Sequence, residues 1–223
     1  MWEAISKYLK NKKVLEIGCG MGQKTCNILK HTNNITAIDI SEENIKAAKE
    51  NYKDTDINFM VMNASNLAFE DKSFDTIITT DSFHEIDPKY QDDVLKEMVR
   101  CSNTIIFIEP DEVSVTNELF KVFDPNENHS LRIKNSMEKA FSYMKSNKYI
   151  LKENGSYKDI TTFSSKDEMY DTLLDWWNDI KIPKDDKEKN EMISEIKTIL
   201  EKFNMLENME IFEKIHYHVF EKR

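Results

Sequence analysis

The sequence has few glycines, four among 223 residues. Average usage of about 7% would give roughly 15. Three of the four, Gly18, Gly20 and Gly22, lie close together, and the fourth, Gly155, follows Asn154 in a pair typical of a turn. Because a chain that otherwise avoids glycine places it where the backbone turns tightly or approaches another group, the first cluster is a candidate binding segment.

Cysteine is also scarce, and long apolar runs are missing. The cysteines, Cys19, Cys26 and Cys101, form no C-x-x-C pair, which argues against a disulfide framework and against a zinc site. Such usage is typical of a reducing compartment. No apolar run approaches the roughly 18 residues of a membrane-spanning helix, and the first residues do not resemble a secretory signal. We therefore expect a cytoplasmic protein with no membrane partner.

Basic residues do not cluster anywhere in the chain. The sequence has 31 lysines and arginines against 41 acidic residues, which gives a net charge of −10. An acidic chain without a basic cluster is a poor partner for DNA, RNA or anionic lipid. This argues against nucleic-acid binding, although a tRNA or a basic protein stays open as a substrate.

Five short, continuously apolar segments alternate with helical patterns in the first half of the chain. Continuous hydrophobicity is typical of strands that are covered on both faces. The alternation with helices predicts an α/β fold with a doubly wound, mostly parallel sheet. In such sheets ligands bind at the carboxyl ends of the strands. The predicted strands cover residues 13–17, 35–39, 57–62, 74–80 and 104–109.

Helical patterns dominate after Pro110, and two further strands bring the predicted sheet to seven. We expect a single domain, with a helical cap inserted after strand five. Its parts are a core at residues 1–110, a cap with one strand at about 111–209 and a final strand at 210–221. The predicted cap helices cover residues 130–147, 165–180 and 185–207, and the cap strand covers 157–163.

Polar groups and glycines follow the first three predicted strands. Strand one ends in G-x-G-x-G, which lacks the G-x-G-x-x-G spacing of a nicotinamide-dependent enzyme because residue 23 is Gln. Asp39 ends strand two, where a carboxylate can accept both hydroxyls of a ribose. Asn63 and Ala64 follow strand three, where they can contact the edge of an adenine. The alternatives are a tight β–α connection, a helix cap at Asp39 and an Asx turn at Asn63.

Taken together, these segments resemble the class I S-adenosylmethionine-dependent methyltransferases, most of all the branch that acts on small molecules. The stretch VLEIGCGMG at residues 14–22 is similar to the family's first motif, and AID at 37–39 is similar to the acidic end of its second strand. Residues 59–75, 79–86 and 106–110 are similar to its third, fourth and fifth strand segments. The resemblance covers about residues 1–110.

The resemblance implies a Rossmann-like fold and an enzyme that transfers a methyl group from S-adenosylmethionine to a small-molecule acceptor by in-line displacement. The product cofactor would be S-adenosylhomocysteine. It also implies that Asp39 binds the ribose, that Ile40 packs on the adenine and that Asp81 lies near the methionine end. The full implied set of cofactor-binding residues is Glu16, Gly18, Cys19, Gly20, Gly22, Asp39, Ile40, Asn63, Ala64 and Asp81.

His84 follows strand four closely and is the candidate catalytic residue. A histidine suits a general base, because its ordinary pKa lies near neutral pH. The alternatives are that His84 contacts the acceptor, that it packs or hydrogen-bonds within the loop, and that Glu85 or Asp87 serves as the base.

Four residues beyond strand five are candidates for binding the acceptor. His129 and Arg132 suit a carboxylate or a phosphate, while Tyr143 and Trp177 suit a hydrophobic or cationic acceptor. Each has a structural alternative: surface charges at a helix start for the first two, and core packing for the aromatic pair. We predict no metal site.

Several features of the function stay open at this stage. A methyltransferase that acts on a macromolecule, tRNA or protein, and a non-catalytic S-adenosylmethionine-binding module are the alternatives. Strand four ends in Asp81-Ser82-Phe83, without the two prolines of the amino-nitrogen methylases, which argues against adenine in DNA and glutamine in proteins as acceptors. The sequence does not name the acceptor atom, and both a monomer and a homodimer are compatible with it.

Overall fold

The computed structural model describes residues 1–177 and 180–223. A seven-stranded sheet is flanked by helices, which confirms the predicted α/β fold. The strands are β1 (Val14–Ile17), β2 (Ile35–Asp39), β3 (Asn58–Val61), β4 (Thr76–Thr80), β5 (Thr104–Pro110), β6 (Tyr149–Thr162) and β7 (Glu210–Lys222). The helices are α1 (Trp2–Ile5), α2 (Thr25–Leu29), α3 (Glu42–Asn51), α4 (Gln91–Cys101), α5 (Val115–Phe123), α6 (His129–Ser146), α7 (Lys166–Trp176) and α8 (Asp186–Lys202), and a 3₁₀ turn spans Ser6–Tyr8.

The strand order is β3-β2-β1-β4-β5-β7-β6, and the first five strands in this order pair in parallel. Every residue of β1 and β4 is buried, as the continuous apolar pattern predicts. Ile17, the last residue of β1, lies in register with Ile38 of β2 and Thr79 of β4. The carboxyl ends of these three strands therefore meet at one edge of the sheet.

The chain divides into two compact units. The first comprises residues 1–109, 135–156 and 216–223. Its core contains large side chains from the parallel strands and from helices α4 and α6. The core members include Leu15, Ile17, Ile38, Ile77, Phe83, Leu95, Met98, Ile105, Phe107, Ala140, Met144 and Phe220.

The second unit comprises residues 110–134 and 157–215 and has an apolar core of its own. This core is built from α5, α7, α8 and the residues around them. Its members include Val115, Leu119, Phe123, Met169, Leu173, Met192, Ile196, Leu200 and Ile211. Within the described residues, no helix is both long and apolar enough to cross a membrane.

The second half of the chain differs from the sequence prediction in several places. Strand β6 begins at Tyr149, and the pair Asn154-Gly155 lies inside this strand instead of forming a turn. A Cβ at Gly155 would lie 2.7 Å from the Tyr217 ring, so the glycine makes room for that ring. Residues 135–156 belong to the first unit, not to the predicted cap, because Ala140 and Met144 lie in the first core.

Helix α2 begins only at Thr25, because the glycine turn continues past Gly22. One predicted helix is shorter in the structure. The helix expected at 165–180 ends at Trp176, and residues 178–179 of that prediction lie outside the described residues.

The second core generates a stability prediction. Ile196 is completely buried there, and Ile196→Ala should lower the free energy of unfolding by about 2–5 kcal/mol through lost burial and a residual cavity. The matched control is Ile182→Ala, because Ile182 is 70% exposed, and its effect should stay within about 0.5 kcal/mol. Chemical denaturation of both variants tests this. Similar losses for the two would show that Ile196 does not pack as described.

Candidate functional site

The glycine turn after β1 is held by the end of β2. The backbone N–H groups of Gly18 and Cys19 both donate hydrogen bonds to the carbonyl oxygen of Ile38, at 2.8 and 3.0 Å. Gly18 has a φ of 73°, and a Cβ there would lie 2.5 Å from the Cβ of Ser82. Glycine is thus required at this position by its backbone conformation and by its close packing against Ser82, the second residue after β4.

Asp39, at the end of β2, makes a second connection between β2 and the glycine turn that follows β1. Its Oδ2 accepts a hydrogen bond from the N–H of Gly20, and its Oδ1 accepts one from the N–H of Ser41, each at 2.9 Å. Ser41 itself caps helix α3, since its hydroxyl accepts from the N–H of Asn44. The carboxylate is half-buried, so it is fixed in position and remains at the surface of the site.

The segment after β3 forms a local turn. The side-chain oxygen of Asn63 accepts hydrogen bonds from the N–H of Ser65 at 2.9 Å and from the Ser65 hydroxyl at 2.8 Å. This is the Asx turn that the sequence left open as an alternative. It does not exclude contact with a ligand, because Asn63 and the neighbouring Ala64 also line the cavity described below.

The end of β4 is strained and firmly anchored. Asp81 has a φ of 49°, which is rare for a residue other than glycine, and its N–H donates to the carbonyl of Ile108 at 2.9 Å. The Ser82 hydroxyl donates to the carbonyl of Ile17 at 2.9 Å. The Asp81 carboxylate lies 3.9 Å from the ammonium nitrogen of Lys24. Strain of this kind is concentrated at functional sites.

These segments enclose a cavity of about 620 Å³ in the first unit. This volume lies within the usual range of small-molecule sites, roughly 300–1,000 Å³. The cavity lies at the carboxyl ends of β1, β2 and β4, the position expected for a ligand in a parallel α/β sheet. Its lining comprises Ile17, Gly18, Gly20, Ile38, Asp39, Ile40, Met62, Asn63, Ala64, Asp81, Ser82, Glu85, Ile86, Asp87, Tyr90 and Val94.

Most of the predicted cofactor-binding residues line this cavity. Those that do are Gly18, Gly20, Asp39, Ile40, Asn63, Ala64 and Asp81. Glu16, Cys19 and Gly22 are not among the lining residues. Ile40 is notable because 72% of this apolar residue is exposed.

The three remaining residues, Glu16, Cys19 and Gly22, lie in or beside the glycine turn and not on the cavity surface. Glu16 is buried, accepts a hydrogen bond from the Thr25 hydroxyl at 2.5 Å, and has its pKa raised to about 7 by burial. A Cβ at Gly22 would lie 2.6 Å from the Tyr52 ring. Burial also raises the pKa of the Cys19 thiol, which argues against a nucleophilic role.

Comparison with known proteins agrees with this geometry. Residues 14–104 match the family model described as a methyltransferase domain. This match identifies residues 14–104 as a methyltransferase domain. The matched region contains the glycine turn, Asp39, Asn63 and Asp81, and it includes every residue that lines the cavity.

Two curated relatives illustrate the likeness. The phthiotriol/phenolphthiotriol dimycocerosates methyltransferase of Mycobacterium tuberculosis is 31% identical over 78 residues, which is 34% of this chain and 29% of that protein. An O-methyltransferase of Aspergillus nomiae is 30% identical over 86 residues, 36% of this chain and 38% of that protein. The matches thus span well under half of each relative's length.

Solved structures resemble the whole chain. A proposed methyltransferase from Bacillus halodurans has a TM-score of 0.67 at 16% identity, covering 99% of this chain and 96% of that one. The YcgJ protein from Bacillus subtilis has a TM-score of 0.61 at 15% identity, covering 100% and 97%. At these identities the likeness shows the methyltransferase fold.

His84 lies in a different environment from the one a general base requires. It is buried, with Nδ1 hydrogen-bonded to the Glu109 carboxylate and Nε2 lying 3.1 Å from Oε1 of Glu85. Burial by itself lowers the pKa of His84, but Glu109 and then Glu85 outweigh it and raise the pKa to about 10. A protonated imidazole has no lone pair with which to accept a proton, so this arrangement argues against His84 as the base, and the role stays a prediction.

Glu109 is a residue that the sequence analysis missed. It is the second-last residue of β5 and almost completely buried, and its Oε1 accepts a hydrogen bond from the N–H of Phe83 at 2.9 Å. The loop after β4 is therefore fixed to β5 through one carboxylate. The available signal was a single acidic residue at the end of the apolar run TIIFIE, directly before Pro110.

The predicted acceptor residues fall in both units. Tyr143, in the first unit, packs against the first core and is not among the residues that line the cavity. In the second unit, the His129 ring stacks on Phe120 with centroids 4.9 Å apart, and Trp177 meets Phe120 edge-on at 5.7 Å. Arg132 pairs with Glu127 at 2.5 Å. Acceptor binding by these residues stays a prediction.

The packing of Gly18 can be tested by substitution. Gly18→Ala should lower the free energy of unfolding by about 2–4 kcal/mol, because the new Cβ would overlap Ser82 and because alanine would have to adopt a left-handed backbone conformation. Gly20→Ala is the matched control: its φ is also positive, but the nearest atom, Oε1 of Gln23, lies 3.8 Å away, so about 1 kcal/mol is expected. Equal losses in chemical denaturation would contradict the close contact with Ser82.

The charge state of His84 can be tested by titration. We expect NMR to show His84 protonated until the pH approaches its pKa of about 10. Because the folded-state pKa lies above the ordinary 6.5, this pair stabilises the fold fully below about pH 6.5, and that stability is lost as the pH rises towards 10. In denaturation experiments, the free energy of unfolding of His84→Gln should fall less steeply with rising pH than that of the parent protein. A titration midpoint near 6.5 would disprove the ion pair with Glu109.

Proposed function

We propose that this chain transfers a methyl group from S-adenosylmethionine to a small-molecule acceptor. The observation that carries the proposal is the cavity at the carboxyl ends of β1, β2 and β4, with a fixed carboxylate at Asp39 and an exposed apolar side chain at Ile40. These features lie within the segment that matches the methyltransferase family.

The residues of the cavity fit this cofactor. Asp39 supplies acceptor oxygens for the ribose hydroxyls, and both of its oxygens are held by backbone donors. Ile40 offers an apolar surface for the adenine, and Asn63 and Ala64 lie at the end of β3 where its edge would be contacted. Asp81 supplies a negative charge for the methionine end, which carries positive charge.

S-adenosylmethionine supplies an electrophilic methyl group when it is bound. The protein then has to hold the acceptor in line and keep water away, and both tasks are met by positioning. The side chains of Ile17, Ile38 and Val94 give the cavity an apolar wall that disfavours water. With His84 ion-paired, proton removal from the acceptor falls to a group at the cavity surface, for which Glu85 and Asp87 are the candidates.

The relatives support a small acceptor over a macromolecule. One of them is named for phthiotriol and phenolphthiotriol dimycocerosates, and another is named as an O-methyltransferase. The net charge of −10 disfavours the long-range attraction that a nucleic-acid substrate would need.

Calorimetric titration with S-adenosylmethionine and S-adenosylhomocysteine tests the cofactor. Both should bind, whereas NAD and ATP should not. Asp39→Ala should weaken binding by about 10–100-fold, the effect of removing a charged hydrogen-bond partner.

The matched control is Asp54→Ala, because Asp54 is exposed and does not line the cavity. This variant should bind both ligands like the parent. Undiminished binding by Asp39→Ala would refute the ribose assignment, and preference for NAD would refute the proposed function.

A further inference from the structure

One segment of the chain supplies a wall of the cavity that we have not assigned to the cofactor. Asp39, Ile40, Asn63, Ala64 and Asp81 are assigned to the cofactor. The segment from the loop after β4 to the first turns of α4 supplies the other wall. Its lining members are Glu85, Ile86, Asp87, Tyr90 and Val94.

This wall combines carboxylates with apolar side chains. Glu85 and Asp87 are about half exposed, with 50% and 48% of their side chains accessible. Among the described residues, no lysine, arginine or histidine lines the cavity. A lining of this composition attracts cations and disfavours carboxylates and phosphates.

The two carboxylates differ in how they are held. Asp87 pairs with Lys89 at 2.8 Å, and Lys89 also lies over the Tyr90 ring. Glu85 is anchored through its Oε1 to the buried His84 ring, which is fixed in turn by the buried Glu109. Both supporting side chains are at least nine-tenths buried, so Glu85 is the carboxylate with the more rigid support.

We propose that Glu85 binds an ammonium group of the methyl acceptor, and that Ile86, Tyr90 and Val94 contact the apolar part of the same molecule. The inference rests on the proposed function, since it names the acceptor class of that site as a molecule with an apolar body that is held through its ammonium group. A charge-assisted hydrogen bond between ammonium and carboxylate is stronger than one between neutral groups.

His84 and Glu109 act as positioning residues in this arrangement. Nε2 of the buried His84 ring lies 3.1 Å from Oε1 of Glu85 and so fixes the position of this oxygen. Glu109 holds both the His84 ring and the N–H of Phe83, so it fixes the backbone from which Glu85 projects. The residues that position the Glu85 carboxylate are thus distinct from those that we assign to the cofactor.

Binding of three probes of similar shape tests the proposal. Phenethylamine, 2-phenylethanol and phenylacetate differ in charge at one end of the same apolar body. Each is titrated by calorimetry into the full-length protein saturated with S-adenosylhomocysteine. We expect phenethylamine to bind about tenfold more tightly than 2-phenylethanol, and phenylacetate to bind most weakly.

Two variants assign the effect to Glu85. Glu85→Gln should weaken phenethylamine about tenfold and leave 2-phenylethanol unchanged, because it removes the charge and keeps the shape. Glu50→Gln is the matched control: Glu50 is exposed at the end of α3 and does not line the cavity. It should leave the binding of all three probes unchanged.

Three outcomes would overturn the proposal: equal or tighter binding of phenylacetate or 2-phenylethanol, no measurable binding of phenethylamine, or undiminished binding by Glu85→Gln. The separate titration with S-adenosylhomocysteine distinguishes the two levels of inference. A protein that binds S-adenosylhomocysteine but shows no preference for the amine refutes the acceptor class alone. A protein that does not bind it refutes the proposed function itself.

Discussion

The carbonyl oxygen of Ile38 accepts hydrogen bonds from the N–H groups of both Gly18 and Cys19, and Asp39 accepts one from Gly20. These three bonds join the end of β1 to the end of β2. They use backbone donors that would otherwise be available to a ligand, so the glycine turn serves first to hold the strand ends together. The floor of the cavity and the position of Asp39 both depend on this junction, because a shift of either strand would separate the glycine turn from the carboxylate beside it.

A second junction fixes the opposite wall. Ser82 donates to the carbonyl of Ile17, and the absence of a side chain at Gly18 lets its Cβ approach closely. Glu109 then secures the loop from the side of β5 through Phe83 and His84. Because Glu109 and His84 are buried, removing one partner would leave a charge without compensation, which is far more costly than breaking an exposed pair. We therefore regard this pair as a requirement for the shape of the loop.

The sequence predicted the features that depend on local pattern. Continuous apolar runs identified the five parallel strands, and the glycine cluster and Asp39 line the cavity at their ends. The features that the sequence did not predict involve partners that are distant in sequence. The Asn154-Gly155 pair is typical of a turn, but Tyr217 packs against this glycine within a strand, and His84 pairs with Glu109, which lies 25 residues away. No periodicity reports such contacts, because they arise only when the chain folds.

The two halves of the cavity are built in different ways, and this has a consequence for specificity. The half that we propose for the cofactor comes from three separate strand ends that hydrogen bonds hold together, so substitution at one of them disturbs the others. The half that we propose for the acceptor comes from one continuous stretch, Glu85 to Val94, which follows a loop anchored at Glu109. Side chains such as Ile86 and Tyr90 could therefore be exchanged without moving the glycine turn. Under these proposed assignments, a change of acceptor requires alteration of one segment, while the strand ends preserve the binding of the cofactor.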